Sequence, residues 1–180
     1  GAGILKPRLL DPFSGVGRIF ELSDLFDITA VEIQHAWIDW TSPRHVCADF
    51  FAWADAGGGG LPFDVILTSP TYGNRMADHH NARDASERNT YHHWLGGEPG
   101  CVVPGSSAVM QWGDEYREFH AKAWRLCWRL LRRDGLMVLN IKDHIRDKTV
   151  QRVTIWHYTE LRRIGFRLVE AIKVPVTGLP

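Results

Sequence analysis

Residues 69–72 of the chain, Ser-Pro-Thr-Tyr, bring three kinds of chemistry together directly after an apolar run. Ser69 offers a hydroxyl oxygen, Pro70 a carbonyl oxygen in a stiffened turn, and Tyr72 an aromatic face. A glycine or a proline alone would be enough to end a buried strand. The additional groups predict a site that holds a flat, polar ligand.

A second candidate site lies in "LLDPFSGVGRIFEL", where two glycines stand between an apolar run and a helical pattern. Gly15 and Gly17 would let the backbone approach a ligand, although a plain strand-to-helix turn explains them equally well. A dinucleotide fingerprint would have a third glycine where this chain has Phe20. Glu32 closes the next strand, where a carboxylate binds ribose hydroxyls. The pattern favours a nucleoside without a diphosphate.

Asp49 extends this site to the end of a third strand, in "CADFF". Its carboxylate could accept a hydrogen bond from an adenine amino group, with Phe13 or Phe50 beside the ring. Taken alone, Asp49 is better explained as a solvated carboxylate in a loop. Only its place in the series of strand ends makes it a candidate.

Strand and helix patterns alternate along most of the chain, which predicts a doubly wound, mainly parallel α/β sheet. Strands are predicted at residues 9–12, 29–33, 46–48, 65–68, 136–141 and 166–174, and helices at residues 17–25, 115–133 and 153–164. Asp134 and Gly135 are predicted to end the second helix, and its tryptophans, Trp124 and Trp128, are predicted to lie in the core. In such sheets a ligand lies at the carboxyl ends of the strands, where both candidate sites fall.

Residues 74–110 interrupt the alternation with a polar, glycine-rich stretch. A loop of this length inside a compact domain is usually functional or disordered. It contains His79, His80, His92 and His93. Their spacing lacks the pattern of metal ligands on a predicted element, so we predict no metal site.

Length and composition bound the class of protein. The chain has 180 residues, 44% hydrophobic and 23% charged, which suits a single globular domain over residues 1–180. No apolar run is long enough to cross a membrane, and the odd number of cysteines, 3, indicates reduced thiols and a cytoplasmic location. The formal net charge is zero, which disfavours a nucleic-acid binder that acts alone.

Taken together, "DPFSGVG", Glu32, Asp49 and "TSPTY" resemble the class I S-adenosylmethionine-dependent methyltransferases. Within them the chain is similar to the DNA amino-methyltransferases of phage and restriction–modification systems, which modify the exocyclic amine of cytosine or adenine. The likeness covers nearly the whole chain and implies a Rossmann-like sheet. It also implies that S-adenosylmethionine is the cofactor. The implied cofactor-binding residues are Asp11, Phe13, Gly15, Gly17, Glu32, Asp49 and Phe50.

The resemblance also implies how the Ser-Pro-Thr-Tyr stretch would act. Ser69 Oγ and the Pro70 carbonyl would accept hydrogen bonds from the amine of a flipped base, and Tyr72 would stack on that base. Asn74 and Arg75 would contact the DNA substrate. A leading serine rather than an aspartate favours cytosine N4 over adenine N6.

Thr71 departs from the family pattern, which usually has a second proline at this position. Proline would lock the backbone, so threonine is expected to loosen the turn while it adds a hydroxyl. Slower catalysis and an inactive relative both remain open.

Other parts of the family pattern are absent from the sequence. The family sheet ends in an antiparallel hairpin, of which residues 166–174 would supply one strand and leave the last one missing. No target-recognition domain is evident, so a homodimer or a separate recognition subunit would help to bind DNA. Two further hypotheses stay open: an RNA or protein amino-methyltransferase, and a non-catalytic accessory subunit that binds S-adenosylmethionine.

Overall fold

The computed structural model describes residues 5–60, 62–71, 103–146 and 148–175. The strands are β1 Arg8–Asp11, β2 Asp27–Glu32, β3 His45–Cys47, β4 Phe63–Thr68, β5 Leu131–Leu139, β6 His144–Arg146 and β7 Thr149–Gln151. The α-helices are α1 Phe50–Asp55, α2 Asp114–Leu130 and α3 Val153–Ile164, and short 3-10 helices cover Arg18–Leu22, His35–Trp37 and Ser107–Val109.

Five of the strands form one parallel sheet with the order β3-β2-β1-β4-β5. Leu10 of β1 pairs with Thr29 on one side and with Ile66 of β4 on the other. The order reverses between β1 and β4, which is the place where open α/β sheets form a crevice at the strands' carboxyl ends. The predicted α/β class and the mainly parallel, Rossmann-like sheet are confirmed.

Both faces of the central strands are buried. Leu9 and Leu10 are neighbours in β1, point to opposite faces, and are both fully inaccessible. On one face Leu10 packs with Phe50 of α1 and Trp124 of α2. On the other face Leu9 packs with Ile19 of the first 3-10 helix. Each of these large side chains contributes about 1.5–3 kcal/mol on burial, and together they fix the crevice in place.

The first predicted helix, residues 17–25, is a 3-10 helix of five residues, Arg18–Leu22. Phe20 and Ser23 donate backbone hydrogen bonds three residues back, to Gly17 and Phe20. In a 3-10 helix side chains three residues apart eclipse, so Ile19 and Leu22 face the same apolar cluster beside β1.

Helix α2 ends at Leu130, earlier than the Asp134-Gly135 pair that was predicted to stop it. Leu131 is already extended, with ψ 136, and begins β5. Asp134, not the glycine, takes the left-handed conformation, with φ 58. A Cβ on Gly135 would lie 2.7 Å from Leu131 Cγ. The glycine therefore lets the Leu131 side chain pack against the backbone of an irregular strand.

Two predictions near the C-terminus are wrong. Residues 166–174 contain no strand, and side chains such as Val169 and Ile172 are 77% and 76% exposed. An apolar, extended segment becomes a strand only when another strand accepts its hydrogen bonds, and within the described residues β5 pairs only with β4. Trp128, predicted to lie in the core, is half exposed and packs against Phe166 with ring centroids 4.8 Å apart.

No helix among residues 5–60, 62–71, 103–146 and 148–175 has the length and apolar character that a membrane span requires.

Candidate active site

A cleft opens at the carboxyl ends of β1 to β4. The residues of the two predicted sites that line it are Phe13, Gly15, Glu32, Asp49, Phe50 and Ser69. Residues that were not predicted line it too, among them Trp37, Phe51, Thr71, Ser107 and Phe119. Five of the seven predicted cofactor-binding residues and the start of the Ser-Pro-Thr-Tyr stretch therefore lie on one surface.

The two glycines of the first loop differ in what surrounds them. Gly15 has φ 53, lines the cleft, and would have nothing within 4 Å of an added Cβ. Gly17 has φ 78, and its Cβ would lie 3.0 Å from His45 Cε1 and 3.1 Å from Phe20 Cδ2. Gly15 leaves space at the cleft, whereas Gly17 lets His45 pack closely against the loop and does not line the cleft.

Glu32 lines one side of the cleft and is held there by hydrogen bonds from backbone amides. Its two carboxylate oxygens accept hydrogen bonds from the Gly15 amide at 2.8 Å and the Gln34 amide at 2.7 Å. Burial raises the pKa of the Glu32 carboxyl, against the lowering effect of the Gln34, Gly15 and Ile33 amides. Each oxygen has a second lone pair that could accept from a hydroxyl of a bound ligand.

Asp49 lines the cleft and also caps a helix. Its Oδ1 accepts from the Ala52 amide at 2.8 Å, which caps the N-terminus of α1. Its second oxygen is not needed for this cap. The carboxylate could therefore stabilise the helix and contact a ligand at the same time.

Aromatic rings form the wall next to Asp49. The Phe13 ring lies edge-on to Phe50 with centroids 5.6 Å apart, and Phe51 meets Phe119 edge-on at 4.9 Å. Phe119 lies in α2 and was not predicted to line the cleft, because no local sequence pattern indicates that this helix packs beside it. The wall suits a flat ring.

Asp11 was predicted to bind the cofactor, but it lies behind the cleft and not among its lining residues. It is 8% exposed, and its Oδ1 accepts from the Phe13 amide at 3.1 Å. Burial raises the pKa of Asp11 to about 7, against the lowering effects of the Thr68 side chain and the Phe13 amide. Its contact with Phe13 gives it a direct part in shaping the loop.

The Ser69–Thr71 turn follows β4. Ser69 is exposed, and its Oγ lies 3.4 Å from the Asn140 side-chain nitrogen, whereas Pro70 is buried. Tyr72, Asn74 and Arg75 lie outside the described residues, as do the histidines of the predicted loop.

Thr71 is held more firmly than the sequence suggested. Its hydroxyl donates to the Ser107 carbonyl at 3.0 Å and lies 2.9 Å from Ser107 Oγ. Its carbonyl accepts a 2.6 Å hydrogen bond from the Tyr116 hydroxyl. The expectation of a loosened turn at this residue is wrong, because two other elements tie it down.

Behind Tyr116, two buried side chains continue the hydrogen bonding. Tyr116 Oη lies 2.9 Å from His157 Nε2, and Trp124 Nε1 donates to His157 Nδ1 at 2.9 Å. Tyr116 and Trp124 share one face of α2, and His157 lies in α3. Sequence analysis assigned the tryptophan to the core but gave the tyrosine and the histidine no role.

Within residues 5–60, 62–71, 103–146 and 148–175, no cluster of histidine, cysteine, aspartate or glutamate could hold a metal ion. His79, His80, His92 and His93 lie outside those ranges.

No protein-family model matches the chain, and no curated protein matches its sequence. Among solved structures it is similar to a SAM-dependent methyltransferase from Agrobacterium tumefaciens, with a TM-score of 0.52 and 15% identity over 90% of this chain. That likeness establishes the fold. The chain spans 45% of the length of that methyltransferase.

Proposed function

We propose that the protein is an S-adenosylmethionine-dependent methyltransferase that modifies the exocyclic amine of a flipped DNA base. The observation that carries the proposal is the shared cleft. Glu32, Asp49 and the aromatic wall line the same surface as Ser69 and Thr71. A nucleoside-bearing donor and a flat acceptor could therefore meet there. The SAM-dependent methyltransferase of similar fold supports this choice of chemistry.

The cleft residues fit the donor's adenosine. Glu32 would accept from the ribose hydroxyls with the lone pairs that Gly15 and Gln34 leave free. The Asp49 oxygen that the helix cap does not use would accept from the adenine amino group, and Phe50 would flank the ring. When bound, the sulfonium supplies an already activated methyl group, so the protein does not need to generate an electrophile.

The acceptor side supplies orientation. The lone pair of an exocyclic amine is delocalised into the base, which makes the amine a weak nucleophile. Ser69 Oγ and the Pro70 carbonyl would accept the amine's two hydrogens, localise that lone pair and direct it at the methyl carbon. With the donor bound, the amine nitrogen would form its bond to the methyl carbon as the carbon–sulfur bond breaks, and one amine hydrogen would leave as a proton to water. Tyr72 would stack on the base, and Asn74 and Arg75 would contact the DNA.

The acceptor is proposed as cytosine N4 in preference to adenine N6, on the leading serine of the turn. Phage or restriction–modification DNA is the proposed setting. Because the formal net charge is zero, a second copy or a separate recognition subunit would supply much of the contact with phosphate.

A second candidate keeps the cofactor and has an RNA base or a protein amide as the acceptor, and the charge balance favours the protein amide over either nucleic acid. A non-catalytic subunit that only binds the cofactor is the third. These alternatives predict different acceptors and are separated by one experiment.

The test is transfer of a tritiated methyl group from S-adenosylmethionine to duplex DNA, RNA or protein. We expect label in DNA, and mass spectrometry of the digested nucleosides should identify N4-methylcytosine. Label only in RNA or in protein would replace the DNA proposal with the second candidate. No label with any acceptor, together with cofactor binding by calorimetry, would leave the accessory-subunit role.

A further inference from the structure

An unbroken row of hydrogen bonds runs from the protein interior to the Ser69–Thr71 turn. It passes from Trp124 to His157, from His157 to Tyr116, and from Tyr116 to the Thr71 carbonyl, over distances of 2.9, 2.9 and 2.6 Å. Trp124 and Tyr116 are fully buried, and His157 is 1% exposed. We call these three side chains the buried relay.

Donor and acceptor chemistry fixes the direction of every bond in the buried relay. The Trp124 indole can only donate, so His157 Nδ1 must accept and Nε2 must carry the ring hydrogen. Nε2 then donates to Tyr116 Oη. The Tyr116 hydrogen is left to point at the Thr71 carbonyl, which can only accept. No bond can be reversed without leaving a buried polar atom unpaired, which is costly in the protein interior.

The histidine stays neutral, which keeps this direction constant. A charged ring would carry a hydrogen on Nδ1, and that hydrogen would face the Trp124 N–H. Burial lowers the pKa of His157 to about 2, and the nearby His120 adds to the effect. The direction of the relay therefore does not change at any pH where the enzyme would work.

Thr71 receives a second tie at its side chain. Its hydroxyl donates to the Ser107 carbonyl at 3.0 Å, and Ser107 is itself 7% exposed. Thus the carbonyl of Thr71 is held by α2 and α3, and its side chain by the 3-10 helix Ser107–Val109. Thr71 directly follows Pro70, whose carbonyl is one of the two proposed acceptors for the amine.

We infer that Tyr116 and His157 are positioning residues for methyl transfer. Together with the Thr71–Ser107 bond they hold Ser69 and Pro70 in the geometry that the acceptor amine requires. These polar ties do for Thr71 what ring closure would do for a proline at that position. The inference rests on the proposed function, because it assigns the turn to the acceptor.

The first test is Tyr116→Phe, which keeps the ring and removes only the hydroxyl. We expect kcat to fall by about 10- to 100-fold, because a small misplacement of a reacting group is costly, while KM for S-adenosylmethionine stays unchanged. Tyr158→Phe is the matched control. It removes a hydroxyl on α3 that accepts a hydrogen bond from the exposed Arg162 side chain at 3.2 Å. An unchanged kcat in Tyr116→Phe would overturn the inference.

Two substitutions of His157 separate positioning from packing. His157→Gln provides an uncharged acceptor and donor, whereas His157→Leu fills similar space without either. We expect Gln to restore a large part of the kcat that Leu loses, with both variants folded by circular dichroism. Equal losses of kcat in the two variants would contradict a role through hydrogen bonding.

Thr71→Val and Thr71→Ser test the second tie in the same way. Valine removes the hydroxyl at nearly constant shape, and serine keeps it. The loss of kcat should be larger for Val than for Ser. The reverse order would show that the bond to Ser107 does not stabilise the turn.

A measurement that needs no turnover checks the relay itself. Long-range proton–nitrogen NMR of protein labelled in histidine should show His157, assigned by its absence from His157→Gln, as the neutral Nε2–H tautomer from pH 6 to pH 8. An Nδ1–H tautomer or a charged ring would overturn this inference even if DNA were methylated. Absence of methyl transfer to every acceptor would instead remove the proposed function, and the positioning role with it.

Discussion

The two loops that meet at the cleft are each held by a buried histidine, but by different routes. In the loop after β1, His45 Nδ1 accepts from the Asp39 amide at 2.9 Å, and Nε2 lies 3.1 Å from Ser14 Oγ. Ser14 Oγ in turn donates to the Val31 carbonyl at 3.2 Å. His45 is therefore also the neutral Nε2–H tautomer, as in the buried relay.

The routes differ in the elements that they connect. The His45 contacts stay within neighbouring strands of the sheet, because Ser14 follows β1, Val31 lies in β2 and His45 begins β3. The buried relay reaches the turn after β4 from α2 and α3, and its partners are 41 and 45 residues apart in sequence. The proposed cofactor end is therefore fixed by the sheet, whereas the proposed acceptor end is fixed by the helices. Changes in the two supports should affect different steps.

Glu32→Ala should give the largest effect and should act only at the cofactor end. It leaves the Gly15 and Gln34 amides without their acceptor and removes the proposed ribose contacts. We expect the affinity for S-adenosylmethionine to fall about 100-fold, or about 3 kcal/mol, measured by calorimetry. Glu32→Gln, which keeps one oxygen, should lose less. A similar affinity in all three proteins would contradict the assignment of this end.

At the acceptor end, His157 should make the unfolding free energy depend on pH. His157 titrates near 6.5 in the unfolded chain but has its pKa lowered to about 2 by burial in the folded protein. Between these values the unfolded chain binds the extra proton, so the contribution to stability is complete above 6.5 and is lost as pH falls. The unfolding free energy of wild type relative to His157→Gln should drop by about 2 kcal/mol from pH 6.5 to pH 5.

Urea unfolding of both proteins at several pH values measures this difference. Asp11 acts in the opposite direction, because burial raises its pKa to about 7, so its contribution is complete below 3.8 and is lost as pH rises toward 7. Asp11 is present in both proteins, and its effect cancels. A difference that does not change with pH would mean that His157 is not held neutral.

Gly17→Ala and Gly15→Ala compare two positions in one loop. Both residues have positive φ, but only the Gly17 Cβ would meet neighbours, with His45 Cε1 3.0 Å away. Gly17→Ala should destabilise the protein by about 2 kcal/mol, and Gly15→Ala by about 1 kcal/mol, measured by thermal unfolding. Equal effects would show that His45 does not constrain the loop.

His45→Leu should give the smallest effect and mirrors Tyr116→Phe. Loss of the contact to Ser14 should reduce affinity for S-adenosylmethionine about fivefold, or about 1 kcal/mol, with kcat at saturation unchanged. Steady-state kinetics on both variants gives the comparison. A lower kcat with unaltered affinity in His45→Leu would contradict the conclusion that His45 supports only the cofactor end.

The sequence predicts those parts of the site that depend on strand ends. Gly15, Glu32, Asp49 and Ser69 each follow or close an apolar run, and parallel pairing brings all of them to one edge. Tyr116 and His157 carry no such local signal, since their partners are distant in sequence. Their roles come from the packing of α2 and α3, which the pattern of each helix alone does not determine.

The errors in the fold have a similar origin. The sequence predicts that α2 ends at Arg133, before the Asp134-Gly135 pair that usually stops a helix, but pairing with β4 draws Leu131 into β5 first. Residues 166–174 have strand-like composition without a partner strand among the described residues. Local propensity indicates which type of element a segment favours, whereas the residues at which the element begins and ends depend on its packing and pairing partners.

Asp49 has one oxygen on the amide of Ala52 and another that helix capping does not use. An asparagine at this position would keep a capping oxygen and present an NH₂ group in place of the second acceptor. Nucleobase preference could therefore change from adenine toward hypoxanthine without unfolding α1, and binding of inosyl and adenosyl analogues would measure it. In such a protein, the choice of cofactor could drift in evolution while the scaffold stays intact.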